Sequence, residues 1–405
     1  MLSAIFLEAL NACSAENLVL SKIVSLAENE SRKIWVFGAG KAAAGMARGV
    51  LKKFGSRING GAIILVEGIE PELTALGPIA VLRGSHPRPD QKSVDATEAL
   101  LRHIALCQPG DHAFFVLSGG ASSLLCRPCN GLSVQTKAEL ADALMACGAP
   151  IAEINTVRKH LSMVKGGQLG SLFKCTVHVL VLSDVAGDSI ETIGSGPLAF
   201  DSTTRADAEA ILKNRLKRTV DAMIETPKTV SSTIEHTVVG NGLMLAQTAA
   251  KTASKHGVGK IICESLPIEG EVRQVAQSYA QFVKDNQRDA PLLLVRFGEP
   301  TVSMSSPVGK GGRNQHLALM LARELKGVGG WQFLAAGSDG IDGNTSSAGA
   351  IVDGQTWTLA LNAGIDAESH LSRFDSHAVH KSLKSLINTG STGNNLQDLH
   401  LLILR

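Results

Sequence analysis

Glycine-rich segments that follow short apolar runs could bind an anionic ligand in this chain of 405 residues. The first segment, Gly38-Ala-Gly-Lys41, lies between an apolar run and an alanine-rich stretch. A helix that begins there would present unpaired N–H groups to a phosphate or a carboxylate. A lysine in the first helical turn opposes the helix dipole unless an anion lies beside it. We therefore predict an anion contact by Gly38, Gly40 and Lys41, with a structural turn and a surface lysine as the alternative.

A second segment could form a backbone nest for an anion. Ser118, Gly119 and Gly120 follow another apolar run, and Ser122 adds a hydroxyl group two positions later. Successive N–H groups in such a turn point toward one ligand. We predict a phosphate contact here, although a tight turn from strand to helix would use the same glycines without a ligand.

A third segment, residues 309–312, delivers Arg313 and Asn314 to the expected start of a helix. The guanidinium group is permanently charged, and its planar fork suits a phosphate or a carboxylate. We therefore predict that Arg313 anchors a substrate, with Asn314 beside it.

Aspartates also follow the apolar runs. Asp184 and Asp188 come after one run, and Asp339 and Asp342 come after another. Carboxylates at strand ends hold Mg²⁺ or orient a hydroxyl group, because this cation prefers oxygen ligands and completes its shell with substrate phosphates. We predict Asp184 and Asp188 as metal ligands and the other pair as substrate contacts. Capping of a following helix is the alternative for each aspartate.

Further polar candidates lie outside these segments. His86 lies in a proline-rich loop whose backbone the prolines hold extended, and it could contact a substrate or be a polar surface group. Arg158 lies in a basic cluster at the start of an expected helix, and Lys165 follows it. Both could face an anion, with solvated charge as the alternative.

Short apolar runs alternate with helical patterns, which predicts an α/β protein with a mostly parallel sheet covered on both faces. Strands are expected at 33–38, 61–66, 113–117 and 177–183, with helices at 91–106, 137–146 and 156–169. A second set of strands is expected at 236–240, 260–263, 292–296, 332–336 and 399–404. We place the boundary near residue 230, which gives domains 1–230 and 231–405, and two such lobes suggest a cleft. Ligands bind beyond the carboxyl ends of parallel strands, where the segments described above lie.

Composition excludes several classes of partner. The net charge is +2 and aromatic residues make up 4% of the chain, which argues against a nucleic-acid or membrane-surface partner. The seven cysteines are scattered and form no zinc-binding pattern, so they indicate reduced thiols. We recognise no export signal and no apolar run that could span a bilayer. We therefore expect a cytoplasmic protein that acts on small molecules.

A series of short motifs resembles the signature blocks of the class II glycerate 2-kinases, also called MOFRL-type kinases, some of which were once labelled hydroxypyruvate reductases. The motifs follow the family's order and extend from about residue 34 to the C-terminus. They are Gly38-Ala-Gly-Lys-Ala-Ala43, His86-Pro-Arg-Pro-Asp90, Leu117-Ser-Gly-Gly120, Asn155-Thr-Val-Arg-Lys-His-Leu-Ser162 with Lys165-Gly-Gly167, Ser183-Asp-Val-Ala-Gly-Asp188, Gly311-Gly-Arg-Asn-Gln315 and Gly337-Ser-Asp-Gly-Ile-Asp-Gly343.

The resemblance implies ATP- and Mg²⁺-dependent phosphorylation of D-glycerate at the 2-hydroxyl group, giving 2-phosphoglycerate. It implies a Rossmann-like N-terminal domain, a smaller α/β C-terminal domain of the MOFRL type, and an active site in the cleft between them. The family's active-site lysine and arginine fall on Lys41 and Arg313. We expect a monomer or a homodimer.

The chain departs from the family's pattern where acidic residues are usual. Ser189 and His316 each stand where an acid normally follows its motif, and the segment 344–347 lacks another. These losses affect the expected metal shell and the choice of substrate more than the fold.

Other functions remain open at this point. An NAD(P)-dependent hydroxypyruvate reductase would use the same Gly38 turn, with Glu67 as its ribose-binding acid. Hydride transfer has no need, however, for strand-end aspartates and additional anion-binding loops. A kinase for a related small hydroxy acid is a further alternative, as is a non-catalytic sensor with the same fold.

Overall fold

The computed structural model describes residues 1–23, 32–68, 76–229, 231, 233–303 and 309–405. These residues form two compact units. The N-terminal unit is Ala15–Val239, and the C-terminal unit is Gly240–Arg405 together with Met1–Ser14, which contains helix α1 (Leu2–Ala12). Among the described helices, none combines the length and the apolar character that crossing a bilayer would need.

A six-stranded sheet forms the centre of the N-terminal unit. Its strands are β1 (Ile34–Ala39), β2 (Ile58–Val66), β3 (Ile79–Gly84), β4 (His112–Leu117), β5 (Thr176–Leu182) and β6 (Ile234–Gly240). They lie in the order β3-β2-β1-β4-β5-β6, and β1 to β5 pair in parallel. Every residue of β1 and β4 is buried, as expected for strands with helices on both faces. The predicted parallel α/β sheet is confirmed, and its strand order is that of a Rossmann fold.

Seven described helices belong to the N-terminal unit, and the last three of them pack together in an apolar cluster of their own. They are α2 (Ala15–Lys22), α3 (Ala43–Phe54), α4 (Gln91–Ile104), α5 (Ala121–Leu124), α6 (Val134–Ala146), α7 (Ile151–His160) and α8 (Arg205–Leu216). The prediction of a helix at 156–169 is wrong beyond His160. The helix ends at His160, and further along Gly166 and Gly167 adopt left-handed backbone angles, with φ of 56° and 82°, through which no helix can continue.

The division between the units differs from the expected order of strands. The strand expected to begin the second domain, 236–240, belongs to β6 at the edge of the first sheet. Strand and helix patterns alternate on both sides of it, so periodicity alone does not assign this strand to a sheet. Residue 230, where we predicted the boundary, lies outside the described residues.

The C-terminal unit contains a second six-stranded sheet, in the order β11-β10-β9-β12-β8-β7. Its strands are β7 (Lys260–Cys263), β8 (Leu292–Phe297), β9 (Trp331–Gly337), β10 (Gly349–Asp353), β11 (Leu386–Ile387) and β12 (Asp398–Leu404). The pair β7 and β8 is parallel, and the remaining neighbours are antiparallel. This unit is therefore α/β with a mixed sheet.

The helices of the C-terminal unit pack around β8, β9 and β12. Besides α1 they are α9 (Gly242–Lys255), α10 (Val272–Asn286), α11 (Arg313–Glu324), α12 (Thr356–Asn362), α13 (Ala367–Ser372) and α14 (Ser376–Ser382). Helix α11 is buried along most of its length, and its apolar side chains pack against Phe333 and Leu402 of the sheet. The start of α11 is thereby held in a fixed position, and Arg313 is its first residue.

Candidate active site

A cavity of about 360 Å³ lies in the N-terminal unit, beyond the carboxyl ends of β3, β4 and β5. This is the edge where ligands bind in open parallel sheets. Many of the residues predicted from the sequence line it together: His86, Gly119, Gly120, Ser122, Arg158, Lys165 and Asp184. The fold thus collects into one volume the segments that are separated along the chain. We call it the N-terminal cavity.

The loops after β1 and β4 are bonded directly to each other. The Lys41 N–H donates to the Gly119 carbonyl (2.9 Å), and the Ala42 N–H donates to Ser118 Oγ (3.1 Å). Gly40 has φ of 136°, and a Cβ at this position would lie 2.1 Å from Ser118 Oγ. Only glycine fits here, because any side chain would separate the two loops.

Lys41 and His86 lie over the second of these loops. A Cβ on Gly120 would lie 3.4 Å from Lys41 Cγ and 3.1 Å from His86 Cδ2. Burial lowers the pKa of His86, and the Lys41 charge lowers it further. His86 is therefore neutral at neutral pH, and Lys41 supplies the positive charge at this point. Gly38 is buried inside β1, where a Cβ would lie 2.2 Å from the Val116 carbonyl oxygen.

Basic side chains also line the N-terminal cavity. Lys165 is fully buried, and its ammonium donates to the carbonyls of Ser122 (2.7 Å) and Gly194 (3.4 Å). Burial lowers the pKa of Lys165 well below its ordinary value, with Lys137 as the next cause. Burial also lowers the pKa of Arg158, which is half-buried, against the opposing charge of Asp142. Burial and mutual repulsion thus disfavour the charged forms of these groups, and a bound anion would favour them.

Lys137 is a lining residue that the sequence analysis missed. It is 5% exposed and lies on α6, on the same face as Leu140, Ala141 and Leu144, which are also buried. The signal that could have revealed it is a lysine among the apolar residues of one helix face. When that face is buried, the lysine is buried with it, which is costly for a polar group.

Ser122 is held by a hydrogen-bonded chain behind the cavity. Its hydroxyl lies 2.9 Å from Ser195 Oγ, and Ser195 in turn donates to Asn155 Oδ1 (3.2 Å). Because the Ser195 proton is used on Asn155, Ser122 is the donor to Ser195. Ser195 is fully buried with φ of 62°, a left-handed conformation that costs about 1 to 3 kcal/mol at a non-glycine residue. The sequence contained no signal for this support.

The predicted metal ligands are placed differently from each other. Asp184 lines the N-terminal cavity, whereas Asp188 lies in the following turn with φ of 53°. Within the described parts of the chain, no group of three or more His, Cys, Asp or Glu side chains could hold a metal ion. Mg²⁺ is commonly bound by one or two carboxylates plus substrate phosphates, so these residues fit a nucleotide-bound magnesium better than an all-protein site.

Arg313 lies in the C-terminal unit, where it is paired with two carboxylates. Its Nε donates to Asp398 Oδ2 (2.5 Å), a second nitrogen donates to Asp398 Oδ1 (3.2 Å), and a third lies 2.9 Å from Glu299 Oε2. Burial opposes the charge, but Asp398 and Glu299 outweigh it and raise the pKa of Arg313. The guanidinium is fixed in charge and in direction.

The other predicted residues of this unit form the support of α11. Asp342 is buried and accepts from the backbone N–H groups of Asn314 (3.0 Å) and Gln315 (2.9 Å) and from both side-chain amides. Burial raises the pKa of Asp342 to about 6, although these donors oppose the shift. Asn314 Oδ1 lies 3.2 Å from His400 Nε2, and Asp339 accepts from the Ile341 N–H (3.0 Å). Asp342 thus caps α11, which precedes it in the chain, and not a following helix as the alternative interpretation expected; its ligand contact stays a prediction.

Comparison with known proteins identifies the family. Residues 1–233 match a family described as a domain of unknown function (DUF4147), and residues 292–398 match the MOFRL family. D-glycerate 2-kinase from Thermotoga maritima is 37% identical over 91% of this chain and 89% of its own length. A relative from Agrobacterium vitis, provisionally named hydroxypyruvate reductase, is 34% identical over 95% of this chain and 90% of its own.

The fold agrees with these sequence matches. The crystal structure of glycerate kinase from Thermotoga maritima has a TM-score of 0.90 and 33% identity, covering 100% of this chain and 98% of that one. The two matched domains occur here in the same order as the two units of the fold. The chain therefore belongs to the family of MOFRL-type glycerate kinases.

Proposed function

We propose that this protein transfers the γ-phosphoryl group of ATP to the 2-hydroxyl group of D-glycerate, with ADP and 2-phosphoglycerate as products. One observation carries the proposal: the N-terminal cavity combines the Gly119–Gly120 turn, the charges of Arg158 and Lys165, and the Asp184 carboxylate. Phosphoryl transfer needs positioning and charge stabilisation more than a covalent nucleophile, and these groups supply both. The kinase names of the relatives support the choice of glycerate.

In the proposed reaction the 2-hydroxyl oxygen bonds to the γ-phosphorus while the bond to the bridging oxygen breaks, and ADP leaves with that electron pair. The Lys41 ammonium and the Gly119–Gly120 turn stabilise the charge on the transferred group. Asp184, which lines the cavity beyond the end of β5, orients the hydroxyl group and accepts its proton. The lowered pKa keeps His86 uncharged, so it carries no additional proton that could go to Asp184 in place of the proton of the hydroxyl group.

Magnesium bound to the nucleotide would neutralise phosphate charge during transfer. Asp184 and Asp188 are the carboxylates that would hold it, with the phosphates completing the shell. Arg313 stays the predicted anchor for a substrate carboxylate or phosphate.

The reductase alternative rests on the Gly38 turn and Glu67. Lys92 Nζ donates to both carboxylate oxygens of Glu67, at 2.7 and 2.8 Å. The acid that a reductase would use to bind the ribose is therefore paired with a lysine. Parallel assays separate the two functions: ATP, Mg²⁺ and D-glycerate in one, and NADH with hydroxypyruvate in the other. Formation of 2-phosphoglycerate, detected by adding enolase, supports the kinase. NADH oxidation without any phosphorylated product would overturn it.

The variant Lys41→Met tests the assigned chemistry. We expect kcat to fall at least about 100-fold, because a fixed cation at the transferred group is lost. The far-UV circular dichroism should stay unchanged, since the loop contact is made by the Lys41 backbone. Lys53→Met, an exposed lysine on α3, is the matched control and should keep wild-type kcat. A folded Lys41→Met protein with wild-type turnover would reject the role.

A further inference from the structure

The ammonium of Lys137 is the group in the N-terminal cavity whose burial is least compensated. Its Nζ atom is inaccessible to solvent and has no hydrogen-bond partner in the described part of the chain, although the side chain lines the cavity. An unpartnered buried ammonium is costly, so a protein retains one where a ligand completes its contacts. Lys159, on the next helix, shows the usual solution: it is equally buried but lies 2.9 Å from Asp201.

The groups around Lys137 do not supply the missing charge. Arg158 lowers its pKa in addition to the effect of burial, whereas the thiols of Cys126 and Cys129 oppose the shift. Lys165 is close enough for Lys137 to lower its pKa in turn. Repulsion among Lys137, Lys165 and Arg158 is relieved when an anion binds between them.

The size of the cavity limits which anion fits. A volume of about 360 Å³ lies at the lower end of small-molecule sites and suits a three-carbon acid better than a whole nucleotide. The carboxylate is the one ionised group of glycerate at neutral pH. A compact ammonium with three free N–H donors can bind such a group in several orientations.

We infer that Lys137 binds the carboxylate of glycerate in the buried part of the N-terminal cavity, with Arg158 and Lys165 completing the anion site. This inference rests on the proposed function and adds the residue that selects an acid over an uncharged alcohol. A site built to pair a buried charge rejects an analogue that lacks the counter-charge, because the lysine is then left unsatisfied.

The test uses the full-length protein and the variant Lys137→Met, which keeps the length of the side chain and removes the charge. We expect the KM for D-glycerate to rise at least tenfold, while the KM for ATP changes less than twofold. In isothermal titration without ATP, the wild type should bind D-glycerate and not glycerol, and the variant should bind D-glycerate at least tenfold more weakly. Lys137→Arg, which keeps the charge, should recover part of the affinity.

A second measurement separates binding from a structural role. Without ligand, Lys137→Met should melt at the same temperature as the wild type or higher, because an unpaired buried group has been removed. The melting temperature of the wild type should rise with D-glycerate, and that of the variant should not. Lys159→Met is the matched control, and it should melt at a lower temperature because Asp201 loses its partner.

Each of the other possible outcomes overturns either the proposed function or the inference about Lys137. If the wild type neither binds nor phosphorylates D-glycerate, the proposed function fails. If the wild type phosphorylates it and Lys137→Met keeps the wild-type KM, only the inference about Lys137 fails. A rise in the KM for ATP alone would assign the site to a phosphate, and a lower melting temperature of Lys137→Met would show a structural partner. Either result overturns the inference.

Discussion

Two groups of cations, one in each unit, are compensated in opposite ways. In the C-terminal unit, Arg313 is held by Asp398, which is 3% exposed, and by Glu299. In the N-terminal cavity, Lys137 Nζ has no hydrogen-bond partner among the described residues, and Lys165 donates to backbone carbonyls. The carboxylates around Arg313 fix the orientation of its guanidinium group. The ammonium of Lys137 has no such partner among the described residues, so an anionic ligand could neutralise it.

This difference shows how a protein can prepare for an anionic ligand. A paired arginine is stable without a ligand and presents its remaining N–H groups at a fixed angle. An unpaired lysine destabilises the ligand-free protein, but that energy is recovered when the ligand binds. Burial alone is therefore not a sign of a binding site. The absence of a carboxylate partner beside a buried cation is the more informative observation.

The largest expected effect comes from breaking a pair that is fully buried. Lys159 and Asp201 are 6% and 0% exposed, and they lie 2.9 Å apart. Lys159→Met should lower the free energy of unfolding by about 3 to 5 kcal/mol, because Asp201 is left as a buried charge. Urea unfolding followed by circular dichroism measures this value. A loss equal to that of Lys137→Met would mean that pairing does not distinguish the two lysines.

The second effect concerns a buried base that stays neutral. Burial lowers the pKa of His316 to about 4, with Arg323 and Arg273 as further causes, and no described residue forms a hydrogen bond with its Nδ1. Between pH 6.5 and about 4 the unfolded chain binds a proton at this histidine and the folded protein does not. The stability of the wild type should therefore fall as the pH falls through this range.

The variant His316→Phe isolates this contribution. The ring would remain beside Phe374, whose centroid lies 5.0 Å away. Relative to the wild type, the variant should gain about 3 kcal/mol of stability on going from pH 7 to pH 4. Urea unfolding at both pH values gives the difference. An unchanged difference would show that His316 is charged in the folded protein.

The smallest effect comes from the partly exposed pair of Arg313. Asp398→Asn should cost about 1 to 2 kcal/mol, because one of the charged hydrogen bonds is kept in weaker form and Glu299 remains. Because Asp398 would no longer fix the orientation of the Arg313 guanidinium, kcat/KM should fall by roughly tenfold or more. Glu299→Gln is the control, and at 36% side-chain exposure it should cost less than about 1 kcal/mol. Equal effects of the two variants on kcat/KM would show that Asp398 does not set the direction of Arg313.

Local sequence patterns predicted much of the N-terminal unit. The apolar runs correspond to β1, β2, β4 and β5, and the loops after them line the cavity with Gly119, Gly120 and Asp184. This worked because parallel strands carry their ligand loops at one edge, so the sequence position of a loop implies its place in space. Strand β3 was missed, although its residues 79–82 are all apolar.

Pairing between distant residues was beyond this kind of reasoning. Asp398 and Glu299 flank Arg313 from positions far apart in the chain, and Ser195 supports Ser122 through a left-handed residue. The mixed sheet of the C-terminal unit depends on which strands become neighbours. Such choices follow from packing of the whole unit and leave no periodic signal in a single strand.

By itself, the sequence determined the α/β class and the glycine turns, because these follow from side-chain periodicity and from the backbone freedom of residues such as Gly40. Only the tertiary structure decided which buried cations are paired. Lys159 and Lys137 are the same residue type with similar burial, yet Lys159 has a carboxylate at 2.9 Å, whereas Lys137 Nζ has no hydrogen-bond partner among the residues that the structure describes. The energy of a charge depends on its surroundings within a few ångströms, and folding brings those surroundings from other parts of the chain.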